Sequence, residues 1–181
     1  MTTFADGEKS LVGYVRRLTS TDLGPLESLL RSDPVSNCFL DARVRGAGLD
    51  PWRLGGDIWG YLDGDTLHSV VYVGANLVPV GTTPASRAAL ADRLRMSPRR
   101  CSSFVGDREE VLDLWRLLEP AWGPAREVRD DQRLLVMDTD ANIPHDPHVR
   151  MATLEDMDVL LPACVDMFTE EVGISPVRGG G

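Results

Sequence analysis

Apolar residues along the chain recur with a period of about two in some stretches and about 3.6 in others, and the switches predict a series of strands and helices. Residues 11–18 read as a strand. Thr19-Ser20-Thr21-Asp22 then has the T-x-x-D form of a capping box, in which a hydroxyl and a carboxylate satisfy a helix's first free N–H groups, so a helix is expected to about Arg31. Pro34 interrupts it, and a second helical run over residues 37–45 ends at Gly46 and Gly48. Beyond Gly55-Gly56 come three extended runs, residues 57–62, 66–73 and 76–80. The first two are joined by Asp63-Gly64, a hairpin signal, which predicts an antiparallel meander.

Pro84 suits the first position of a helix capped by Thr83, with Ala88, Leu90, Ala91 and Leu94 as its buried stripe. Residues 101–105 read as a short strand. Asp107 caps a helix to about Glu119 on which Val111, Leu112, Trp115 and Leu118 recur, and Pro120, Gly123 and Pro124 stop it. Residues 126–129 and 133–137 read as two more strands around Asp130-Asp131. The predicted order is β-α-α-β-β-β-α-β-α-β-β, an α/β fold with one twisted mixed sheet covered by helices.

Residues 139–148, with Pro144, Pro147 and several acids, read as a linker between a domain over residues 1–138 and a second segment, 149–181. That segment repeats the start of the first. Val149-Arg150-Met151-Ala152-Thr153-Leu154-Glu155-Asp156-Met157 aligns without gaps on Val15-Arg16-Arg17-Leu18-Thr19-Ser20-Thr21-Asp22-Leu23, with Val, Arg, Thr and Asp identical at an offset of 134 positions. Either the chain restarts its own fold, or two strand-to-helix junctions share common capping chemistry.

The V-R-x-x-T-x-x-D opening, the element order and the repeat length resemble the GNAT superfamily of N-acetyltransferases. Trp122-Gly123-Pro124-Ala125-Arg126-Glu127-Val128-Arg129 and Met167-Phe168-Thr169-Glu170-Glu171-Val172-Gly173 resemble bacterial acetyltransferases in which an uncharacterised N-terminal domain precedes the GNAT domain. The resemblance implies a degenerate first copy and the first strand and helix of a second. It also implies acetyl-CoA as cofactor of the parent protein, with a small-molecule or peptide amine as acceptor. In that family an R/Q-x-x-G-x-G/A loop holds the pyrophosphate on backbone N–H groups at a helix start. The corresponding Val80-Gly81-Thr82-Thr83-Pro84-Ala85-Ser86-Arg87 keeps one glycine, lacks the leading Arg or Gln, and loses a donor at Pro84. Two readings stay open, a loop that no longer binds acyl-CoA and a divergent one that does; Val80, Gly81, Thr82 and Thr83 are its candidate residues. Phe168, Glu170 and Glu171, placed after the first helix of the second copy, are the acceptor-groove candidates, the carboxylates holding a cationic amine or taking its proton. No catalytic residue is assigned.

Composition narrows the partners. A net charge of −9 argues against duplex nucleic acid and anionic membranes, and no apolar run spans a bilayer. Residues 1–10 carry no signal-peptide pattern, and Cys38, Cys101 and Cys164, odd in number and far apart, read as reduced core thiols, so a bacterial cytoplasm is expected. His145 and His148 flank Asp146 without enough further ligands for zinc, so no metal is expected. His68 reads as a structural imidazole, and Arg99-Arg100 as surface charge that at most attracts the 3′-phosphate of coenzyme A. The chain is expected to fold yet be inactive as an acetyltransferase alone, with a mobile tail over 177–181. The helix starting at Thr153 is expected to dock Met157, Leu160, Leu161 and Cys164 on the first domain or a neighbouring chain. The alternative is a non-catalytic module that shapes an acceptor groove or mediates dimerisation.

Overall fold

A computed structural model of the chain describes residues 13–173 and 175–177. The start of the first expected strand, residues 1–10 and the end of the expected mobile tail lie outside these residues. The chain divides into two compact units, Met1–Val136 and Met137–Gly181.

The first unit is built on a five-stranded sheet in the order β1-β2-β3-β4-β5, formed by β1 (Tyr14–Arg17), β2 (Asp57–Asp63), β3 (Thr66–Val73), β4 (Asn76–Val80) and β5 (Ser103–Phe104). The first four run antiparallel to their neighbours, and β5 joins β4 in parallel after a helical crossover. Alternation along β3 sends Val70 and Tyr72 to one face and Val71 and Val73 to the other, so both faces must be covered. On the first face, α1 (Leu23–Leu30), α2 (Cys38–Ala47) and the one-turn α3 (Pro51–Leu54) bury Leu26, Leu30, Leu40, Val44 and Leu54. On the second, α4 (Pro84–Arg95) and α5 (Arg108–Trp122) bury Leu90, Ala91, Leu94, Leu114 and Leu118. The result is a helix–sheet–helix sandwich.

Several sequence expectations need correction. Residues 126–129 and 133–137 form no strand: Val128, Leu134, Leu135, Val136 and Met137 are exposed. Arg126, Glu127 and Arg129 leave one apolar side chain, Val128, in the first run, too little to pack a strand against the sheet. That β5 is shorter than expected follows from its ladder, Asn76↔Ser103 and Leu77↔Phe104, flanked by isolated backbone bonds. Helix α5 runs past Pro120, because the lost N–H costs one bond in the last turn while Leu118 and Trp122 stay packed. In α4 the buried stripe holds Ser86 and Arg87, and Ala88 is exposed. Only Cys101 of the three free cysteines is buried, and burial pushes its thiol pKa up; Cys38 and Cys164 are exposed.

The second unit contains a 3₁₀ turn, Leu154–Asp156, and α6 (Met157–Val172), closed by Gly173 in the left-handed conformation (φ 75°). Its described residues include no strand, and Met157, Leu160, Leu161 and Cys164, expected to be docked, are exposed.

The repeated junction has the same bonds in both units. In the first, Arg16 donates from both terminal nitrogens to Asp22 (2.8 and 2.7 Å), and the Thr19 N–H and hydroxyl donate to the same carboxylate (2.7 and 3.2 Å). In the second, Arg150 donates twice to Asp156 (2.7 Å each), and Thr153 adds its N–H and hydroxyl (2.8 and 3.1 Å). Each carboxylate therefore caps its helix and anchors the preceding chain through a bidentate guanidinium. Arg16 holds the Asp22 carboxyl down to about 2, and Arg150 lowers that of Asp156.

Candidate functional site

The stretch expected to meet a pyrophosphate is the turn from β4 into α4. Val80 is buried at the end of β4, and Gly81 takes φ 66°, which lets the chain reverse into the helix. Thr83 is the N-cap: its hydroxyl accepts from the Ser86 N–H (3.3 Å), and its own N–H donates to the Ser86 hydroxyl (2.9 Å). The Arg87 N–H already serves the Thr83 carbonyl (2.8 Å). These three donors at the helix start are thus engaged within the chain.

What lies over the turn is acidic. The Asp107 carboxylate caps α5 by accepting from the N–H groups of Glu109 and Glu110, which sets three further carboxylate positions on the first two turns of that helix. Thr82 donates its hydroxyl to Glu110 (2.9 Å). Arg87, only 2% exposed, donates to the Thr82 carbonyl (2.9 Å), Glu109 (3.0 Å) and Asp113 (3.1 Å). Asp113 also pairs with Arg116. Four carboxylates, at Asp107, Glu109, Glu110 and Asp113, face two guanidiniums here, so the local charge is negative. Such a field opposes a pyrophosphate, and the adjoining cleft of about 290 Å³ shares it, being lined by Pro84, Arg87, Ala88, Asp113, Arg116 and Leu117.

Arg87 did not emerge from the sequence as a functional or structural centre, although a signal was there. It stands three, four and seven positions before Leu90, Ala91 and Leu94, on the stripe that packs against the sheet, and a cation on such a stripe demands acidic partners.

The acceptor-groove candidates belong to the second unit. Phe168, Glu170 and Glu171 lie on α6 itself, in its last turns rather than after it, and all three are exposed. His68 is exposed on β3, and the His148 ring contacts Asp146 at 3.0 Å. No group of three or more metal-binding side chains occurs among the described residues. Arg100 reaches Asp57 at 3.5 Å, while Arg99 is exposed. No helix among the described residues is long and apolar enough to cross a membrane.

The profile of a family described as a domain of unknown function (DUF4081) matches residues 56–160, from the start of the meander into α6. Neither a curated protein nor a solved structure matches the chain.

Proposed function

We propose, for a chain that belongs to the DUF4081 family, that it is the N-terminal part of a cytoplasmic GNAT-type N-acetyltransferase, its first unit an accessory copy that has lost acyl-CoA binding. The observation that carries this reading is the junction built twice with the same bonds, Arg16–Asp22–Thr19 and Arg150–Asp156–Thr153, which supports a second copy of the fold opening at Val149. The acid-lined turn at Thr82 and Arg87 supports the division of labour: catalysis falls to the second copy, which takes acetyl-CoA and an amine, and the first copy shapes or supports it. Neither nucleic acid nor a membrane is a partner in this reading. The proton leaving the amine would pass to a base that the described residues do not identify.

The test is to express the gene onward through the whole second copy, past the place the repeat indicates for its loop, 134 positions beyond Val80, and to assay thiol release from acetyl-CoA with a panel of amines. An R/Q-x-x-G-x-G/A loop there, with turnover, is the expected result; a reading frame without that loop removes the proposal. Then the runner-up remains, a non-catalytic module for groove shaping or dimerisation, favoured by the same acidic turn.

A further inference from the structure

At the opposite end of α4 from the acidic turn, the first unit holds a second cavity, of about 250 Å³, whose polar and aromatic lining is Asp57, Trp59, Arg93, Ser97, Arg100 and Trp122. Its walls come from the start of β2, the end of β3, the exit of α4 and the last residue of α5, so rigid elements supply most of it. Two indoles and Val73, Leu94 and Pro98 make an apolar body of a kind that suits a flat small molecule.

The charges are unlike those of the rest of the chain. The Arg93 guanidinium lies 3.8 Å over the Trp59 ring and donates to the Ser97 hydroxyl (3.2 Å), yet it has no carboxylate partner among the described residues. Asp57, the only acid of the lining, is shared by Arg17 (3.1 Å) and Arg100 (3.5 Å). The lining therefore holds two guanidiniums, Arg93 and Arg100, against one carboxylate that Arg17 also shares, in a protein of net charge −9. Trp122, packed edge-on against Phe104, lines the cavity with its indole, whose N–H is buried with no acceptor among the described residues. Buried donors ordinarily have a partner. The carbonyl end of α4 works against an anion here, but that effect fades within the last turn and is weaker than a direct hydrogen bond from a guanidinium.

We infer that this cavity binds a small aromatic monocarboxylate, its ring against Trp59 and Trp122 and its carboxylate on Arg93 and Arg100. The site is separate from the acidic turn and independent of any acetyltransferase activity. It differs from a water-filled groove in needing both a negative charge and a flat apolar body.

The experiment titrates the 181-residue chain with phenylacetate, with neutral phenylacetamide as control. Tryptophan fluorescence and the indole N–H cross-peak of Trp122 in ¹⁵N-labelled protein report occupancy. Saturable binding of phenylacetate is expected with a shifted Trp122 signal, and the amide and Arg93→Met should each bind at least about tenfold more weakly. Arg93→Met keeps an unbranched side chain over Trp59, and a thermal melt checks that it is folded; Arg100→Met is the second variant should the first unfold. Arg116→Met, in the other cleft, should bind normally. Absence of saturation, equal affinity for acid and amide, or full affinity in folded Arg93→Met and Arg100→Met overturns the inference and leaves a cavity that holds water alone.

Discussion

Arg87 shows how one residue can decide what a helix N-terminus is for. With its guanidinium 2% exposed and bonded to Thr82, Glu109 and Asp113, it ties α5 to the turn where an anion would otherwise sit. Removing it leaves the Thr82 carbonyl without that donor and Glu109 without a counter-charge, although Asp113 keeps Arg116 and both carboxylates keep access to water. That access places the cost below that of breaking a fully buried pair, so Arg87→Met should lower unfolding stability by about 2 kcal/mol. Arg87→Lys should fall between, since an ammonium cannot spread its donors over three acceptors in the guanidinium's planar fork. Urea denaturation gives the answer; an unchanged midpoint in Arg87→Met would mean the network contributes nothing. The role of Arg87 was only half legible in the sequence. The stripe 87, 90, 91, 94 announces a buried cation, but its partners come from α5, more than twenty positions away, and contact over that span depends on the crossover.

At the scale of elements, the junction of β1 with α1 can be tested through pH. Asp22 titrates at about 2 when folded against an ordinary 3.8, because Arg16 favours its charged form. A depressed folded pKa stabilises above the ordinary value, and that stabilisation is lost as pH falls toward about 2. The difference in melting temperature between the parent and Asp22→Asn should therefore be full at neutral pH, narrow below about pH 4 and close near pH 2. A gap that persists unchanged to pH 2 would show that the carboxylate's charge is not what matters. Asp156→Asn removes the same bonds from an exposed copy, where such pairs count for little, and should move the melt far less. Where local chemistry determines an element, the sequence reading holds: Asp63-Gly64 and alternation place β3 and β4 to the residue, and Thr83-Pro84 starts α4. It missed α3, whose Asp50 cap and Pro51 were both visible, because one turn is too short to show periodicity. It overcalled strands at 126–129 and 133–137, because a strand needs a neighbouring edge and an apolar run does not reveal whether one exists.

For the whole molecule, the question is what these 181 residues can do by themselves, and the two units answer differently. The first has cores on both sheet faces and should melt cooperatively. The second offers a capped helix with exposed Met157, Leu160 and Leu161 and has no strand among its described residues. Acyl transfer between bound partners depends on holding reacting atoms about 3–3.5 Å apart, and a lone helix carrying Glu170 and Glu171 fixes neither partner. Coenzyme A is moreover a polyanion, and the turn from β4 into α4 presents Glu109, Glu110 and Asp113 instead of free N–H groups. The chain should show one cooperative thermal transition with no thiol release from acetyl-CoA across a panel of amines, and calorimetry should detect no micromolar binding of acetyl-CoA or free coenzyme A. Micromolar binding would mean that the acidic turn is not the barrier it looks to be, and turnover by this chain alone would overturn the assignment of catalysis to a complete second copy.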